Sequence, residues 1–227
     1  MALDFPAFGQ ALWKVSDELG IRPEWQLPVL SLESGFNPSI VNPYGCVGLN
    51  QFCPGTFEHY VPVSVGEYRQ WPASEQLAGP ILAYWRDALH YGEIRSGTRL
   101  ELAQLGAALL SKAPNLDSVV FRGPGGAYSA NSGFDTAHKG FITVQDIANA
   151  LAHQASGHAV QSALAKAYAL RPGETPTDPV YGEDFGHGGG GAASPVAGTS
   201  LMRGLAVVAA LGLVGTLGYA AYREYVG

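Results

Sequence analysis

The sequence predicts a mainly α-helical domain over residues 1–170, a Gly/Pro-rich linker over residues 171–202 and one C-terminal transmembrane helix over residues 203–223. Three observations carry that division. Before Arg171, apolar residues recur at the three- and four-residue spacing that gives a helix one buried face. After it, Pro172, Pro176, Pro179 and Pro195 alternate with the glycine-rich run from Gly186 to Gly191, a composition with too few apolar side chains to pack. Further on, the stretch from Gly204 to Tyr222 is uncharged, built from Leu, Ala, Val and Gly, and bounded by Arg203 and Arg223.

A chain of 227 residues, 47% of them hydrophobic, is long and apolar enough for one domain core with accessories. Its net charge of -6 and scattered basic residues exclude the cationic stripe of a nucleic-acid binder. Cys46 and Cys53 do not form the pair-of-pairs pattern of a metal knuckle, and His153 and His158 have no spacing partner. Neither a metal nor a cofactor is expected.

In the first helix, Phe5, Phe8, Leu12, Val15 and Leu19 share a face and Gly20 is the stop. Asp4, Pro6, Gly9 and Gln10 break up this N-terminal stretch, so no secretory signal peptide is expected there. The second helix opens on Arg22-Pro23-Glu24, with proline in its first turn. Leu27, Val29, Leu30 and Leu32 then lead to one carboxylate, Glu33, at the point where Gly35 and Pro38 end the helix. A lone acid at the end of a buried helix is where a raised pKa is expected.

A turn rich in Asn, Pro and Gly follows, and after it come Gly48-Leu49-Asn50-Gln51 and Pro54-Gly55-Thr56. With Glu33-Ser34-Gly35-Phe36-Asn37-Pro38, this order resembles the lytic transglycosylase and goose-type lysozyme family, whose motifs run Glu-Ser-x-Phe-Asn-Pro, Gly-Leu-x-Gln and Pro-x-Thr. Three ordered motifs in so short a stretch make a specific match. The resemblance implies a lysozyme-like helical domain with Glu33 as the catalytic acid and Gly48, Leu49 and Gln51 in a groove that holds a peptidoglycan glycan strand. Gln51 both donates and accepts hydrogen bonds, which suits the amides and hydroxyls of an N-acetylated sugar. Ser34 and Asn37 are read as serving the helix end and the turn. The family usually has Met or another apolar residue where this chain has Asn50, a departure that bears on substrate preference.

Phe57 to Trp71 reads as a loop with short helical pieces along one side of the groove. From Pro72 to His90, the residues Leu77, Ile81, Leu82, Tyr84, Trp85 and Leu89 describe a helix opened by Ser74-Glu75-Gln76, with Tyr84 and Trp85 expected in the core. Leu100 to Ser111 is a further helix, stopped at Ala113-Pro114-Asn115. In many relatives the corresponding helix ends in Ala-Tyr-Asn-Ala-Gly, whose tyrosine faces the catalytic acid, whereas this chain has Ala107-Ala108-Leu109-Leu110-Ser111. Either activity does without that tyrosine, or Tyr128 supplies it from the following loop and joins the substrate site. Asp135, Gly140, Ile142 and Asp146 fall at calcium-loop spacing, but Lys139 stands at a ligand position, so a turn into a helix capped by Thr143 is expected instead. That helix runs from Val144 towards Leu170 with a break at Gly157.

The segment from Gly204 to Tyr222, roughly 19 residues, is long enough to cross about 30 Å of hydrocarbon. Gly204, Gly212, Gly215 and Gly218 permit close pairing of such helices and hence a homo-oligomer, while balanced flanking charge leaves the orientation open. An anchor without an export signal fits a phage virion enzyme that opens the periplasmic cell wall locally from a viral or host membrane. A bacterial tail-anchored envelope enzyme is the other setting, and a membrane-anchored glycan-binding or structural module is the non-enzymatic reading. A cytoplasmic origin leaves Cys46 and Cys53 as free thiols; delivery to the periplasm would join them. No second carboxylate lies in the motifs beside Glu33, the nearest being Glu58 and Glu67 beyond Pro54. The resemblance therefore implies the one-acid reaction, a transglycosylase that leaves a 1,6-anhydro ring, in place of a hydrolysing lysozyme with two carboxylates.

Overall fold

The computed structural model describes residues 3–182. In chain order the elements are α1 (Phe5–Leu19), α2 (Pro23–Ser34), α3 (Pro54–Tyr60), α4 (Val65–Tyr68), α5 (Ala73–Gln76), α6 (Leu82–Ala88), α7 (Gly97–Leu105), α8 (Leu109–Lys112), β1 (Val119–Arg122), α9 (Gly126–Asn131), β2 (Phe141–Thr143), α10 (Val144–Ser156) and α11 (His158–Ala169). The chain is mainly helical, as the periodicity predicts.

Helix α2 is the hub. Pro23 sits in its first turn, where a missing N–H leaves nothing unsatisfied, and Gly35 closes it at a left-handed φ of 58° with its N–H on Ser31 O. Every α2 residue except Ser31 is buried, because α1, α7, α10 and α11 all pack around it. A helix surrounded in this way needs no polar face, and a polar side chain on it is costly to bury unless it finds a partner inside the protein. Gln26 does so through Leu12 O (3.0 Å) and Ile21 O (2.5 Å).

Three elements differ from the sequence reading. Pro80 lacks the N–H that would continue the predicted 72–90 helix, and the chain widens into a π-turn over Leu77–Ile81 between α5 and α6. Gly106, at φ 159°, ends α7, so the predicted 100–111 helix becomes α7 and the short α8. Strands β1 and β2 form an antiparallel pair that the helical pattern did not announce. The predicted break at Gly157 is present, and Thr143 caps α10 reciprocally with Asp146.

The domain also extends past residue 170. Thr177 donates to Glu24 through its N–H (2.8 Å) and hydroxyl (3.0 Å), Trp25 Nε1 donates to Asp178 O (3.2 Å), and Thr98 donates to Val180 O through both its N–H (3.0 Å) and hydroxyl (2.7 Å). Val180 is buried. Gly97 makes the crossing possible, since a Cβ there would collide with Pro179 O. Residues 171–182 are thus a strap docked by backbone hydrogen bonds, which the proline-rich composition had concealed. The remainder of the linker and the predicted transmembrane helix lie outside the described residues, among which no helix is long and apolar enough to cross a membrane.

Candidate active site

Glu33 occupies the last full turn of α2 and is only 2% exposed. Neither carboxyl oxygen has a hydrogen-bond partner among the described residues. Burial raises its pKa well above the usual carboxylate range, and the neighbouring Glu101 carboxyl raises it further. The negative end of the α2 dipole acts in the same direction. Burial, the Glu101 carboxyl and the helix end thus all favour the protonated form of Glu33, the upward shift that its sequence context predicts.

The Gly48-Leu49-Asn50-Gln51 motif is the turn of a tight hairpin. Val47 and Phe52 exchange backbone hydrogen bonds (2.9 and 3.0 Å) across it. That pairing sets the next residues on either strand side by side, and Cys46 and Cys53 are joined in a disulfide. Of the two states that the sequence leaves open, free thiols or a bond, the structure has the bond: local pairing decides the geometry, and it was not visible in the cysteine spacing. Gly48, at φ 87°, admits no side chain, because a Cβ would meet the Tyr68 ring at 2.5 Å and Gln76 Oε1 at 2.8 Å. Leu49 is fully buried in the core, and its N–H donates to Gln76 Oε1 (2.8 Å). Gly48 and Leu49, expected in the substrate groove, shape the turn and are not among the residues that line the cleft at Gln51. Gln76, expected only as part of a helix cap, is the tether: its Nε2 also donates to Pro38 O (2.8 Å) and Tyr68 O (2.9 Å).

Gln51 does reach a groove. It lines a cleft of about 620 Å³ together with Tyr60, Tyr84, Asp87 and Gln104. Its backbone is held at φ 48°, an unusual conformation for a residue with a Cβ, and its Nε2 donates to Gly48 O (2.8 Å) while its Oε1 is buried without a partner among the described residues. Phe52, Tyr60 and Tyr84 pack together with ring centroids 5.4 to 6.0 Å apart. Tyr60 donates to Asp87 (2.9 Å), and Tyr84 donates to Ala103 O (2.8 Å).

Tyr84 rather than Tyr128 is the tyrosine associated with the acid. Burial raises its hydroxyl pKa, and Tyr60, Glu33 and Glu101 push it in the same direction. Tyr128 lies on α9, where its hydroxyl donates to Asp135 (2.9 Å) at the turn that Asp135 builds with the N–H groups of Lys139 and Gly140. Tyr128, expected as a substrate-site residue, does not line the cleft. Trp85 is in the core, as expected.

A second carboxyl, which the motifs did not contain, stands on α7. Glu101 is fully buried, its oxygens have no partner among the described residues, and burial pushes its pKa up to about 8. One turn further along α7, Gln104 forms a reciprocal pair with Asn50: Asn50 Nδ2 donates to Gln104 Oε1 (2.6 Å) and Gln104 Nε2 to Asn50 O (2.7 Å). Gln104 thus accounts for Asn50, since a polar side chain at a buried turn requires a polar partner. Neither Glu33 nor Glu101 is on the cleft surface, and both lie near enough to Tyr84, which is, to raise its hydroxyl pKa.

Comparison of the chain with protein-family models, curated proteins and solved structures finds no match. Chemically, the described residues set a buried carboxyl with a raised pKa and no partner near a cleft lined by amides and tyrosines. Glu101, Gln76 and Gln104 were missed because each lies in a helical stretch whose inward face the sequence leaves undetermined.

Proposed function

We propose that this domain cleaves the β-1,4 bond between N-acetylmuramic acid and N-acetylglucosamine in peptidoglycan as a lytic transglycosylase. Glu33 gives its proton to the glycosidic oxygen as the C1–O bond breaks. The C6 hydroxyl of the same muramic residue attacks C1 and returns its proton to Glu33, closing a 1,6-anhydro ring. Attack from within the sugar replaces a positioned water and needs no separate base. The observation that supports this reading best is Glu33 itself, a carboxyl whose pKa burial raises at the end of α2 and which has no partner among the described residues. The amides of Gln51 and Gln104 and the rings of Tyr60 and Tyr84 suit an N-acetylated sugar. Glu33 does not line the cleft, so in this reading glycan binding displaces the residues that separate the two.

Hydrolysis is the second reading, favoured by the presence of Glu101 as another acid close to the first. Digestion of purified peptidoglycan separates the two by product mass. The transglycosylase gives anhydromuropeptides, a lysozyme gives reducing ends heavier by two hydrogens and one oxygen, and a module that only binds glycan gives no cleavage. The sequence also supports a C-terminal anchor, and we place the enzyme on a membrane, in a phage particle that opens the wall locally or, alternatively, at the envelope of a bacterium. Protease protection of the N-terminal domain in right-side-out and inverted vesicles tests the topology, and absence of the protein from purified particles would remove the virion setting.

A further inference from the structure

Glu101 and Gln104 are one turn apart on α7, so their side chains leave the same face of the helix. Gln104 reaches the cleft and holds Asn50, and Glu101 lies deeper, where α7 packs directly on α2. The titratable groups facing it are Glu33 from α2 and Tyr84 from α6; Tyr60, which is held by Asp87, adjoins Tyr84. Helix α10 turns Val144, Ile147, Ala148 and Leu151 inward, with Asp146 bound to Lys139 and His153 exposed. Arg99 on α7 itself is directed to Leu110 O (2.8 Å) and Glu93 O (3.2 Å), and α8 contributes Leu110 to the interior. Among the described residues no Lys, Arg or His pairs with either buried carboxyl.

We propose that Glu101 is a positioning residue of this site, a second buried carboxyl whose negative charge keeps the catalytic proton on Glu33; this rests on the reading of Glu33 as the acid. Burial brings Glu101 to about 8 and raises Glu33 well above the usual carboxylate range; Glu33 alone also stands at the negative, C-terminal end of its helix, whereas Glu101 lies midway along α7. Two neighbouring carboxyls in a dry interior do not ionise together, so Glu101 gives up its proton first and Glu33 retains its own. Glu33 consequently stays an acid on the alkaline side of neutrality. During cleavage the proton passes from Glu33 to the leaving oxygen and returns to Glu33 from the C6 hydroxyl. Glu101 forms no bond and exchanges no proton with substrate, which separates it from a nucleophile or a general base.

The test is the pH profile of kcat/KM on peptidoglycan for the full chain, comparing wild type with Glu101→Gln and Glu101→Met, alongside a carbon-13 titration of the glutamate δ-carboxyls in the same proteins. Methionine matches the size of glutamate and removes no hydrogen bond, so at least one variant retains the fold. Both variants are expected to keep cleaving on the acid side, while their alkaline limbs fall by about one pH unit or more and the Glu33 midpoint falls with them. An alkaline limb and a Glu33 midpoint that stay in place in a folded variant overturn the proposal. Loss of cleavage at every pH overturns it too, because Glu101 would then be a reacting group. A Glu33 midpoint that moves in a protein whose wild type cleaves nothing supports the carboxyl pair and overturns the transglycosylase reading instead.

Discussion

On α2, Glu24 receives donors from Thr177, Tyr168 and Arg22, whereas Glu33 receives none, and the difference decides which way each carboxyl moves. Burial raises Glu24, but those bonds outweigh it and leave the group below the usual range. Glu33 and Glu101, equally buried, keep only the upward push. Stability follows from the sign. The folded chain holds the Glu101 proton up to about pH 8, while the unfolded chain releases it near 4.5. Folding is therefore most favourable below the lower value, weakens as pH rises between the two, and levels off above the upper one, with Glu33 acting in the same sense. Urea unfolding of wild type is expected to lose a few kcal/mol between about pH 5 and pH 9, and Glu101→Met to lose less and to exceed wild type at the alkaline end. A flat wild-type profile would contradict the burial of unpaired acids. Gly48→Ala, at a left-handed φ against Tyr68 and Gln76, is expected to lower stability by about 2–3 kcal/mol in the same assay.

At the scale of elements, the hairpin over residues 46–53 is what aims Gln51 at the cleft. Its disulfide closes a short loop, so replacing both cysteines by alanine is expected to remove about 2 kcal/mol of stability and to loosen the turn. Alkylation without reductant should add no label, and two labels would mean free thiols. The sequence made α1, α2, α10 and the Gly157 break legible, because each carries a proline, glycine or capping residue at its end as well as an apolar repeat. Glu33 was legible for the same reason: an apolar run delivers it to a glycine stop. Glu101 was not, since α7 carries polar and apolar residues on every side and only its packing against α2 and α10 turns the acid inward. Tyr84 was expected in the core by its spacing and lies at the boundary, with its ring at the cleft and its hydroxyl on α7. Tyr128 was chosen by proximity to a missing motif, which carries no information about direction.

For the whole molecule, the strap over residues 171–182 joins the end of the chain's helical part to the hub helix. A chain ending at residue 170 exposes Trp25 and strips Glu24 and Thr98 of partners, so it is expected to melt at least about 4 °C below one ending at residue 182. Equal melting temperatures would show that the strap contributes nothing. The proposed activity rests on Glu33, and glutamine at that position preserves shape and burial while removing the proton. The most direct measurement is therefore the release of muropeptides from purified peptidoglycan by wild type and Glu33→Gln, with circular dichroism confirming that both are folded. The expected result is anhydromuropeptides from wild type and a loss of at least about 100-fold in the variant. Release by folded Glu33→Gln at the wild-type rate would contradict the assignment of this carboxyl and the function built on it.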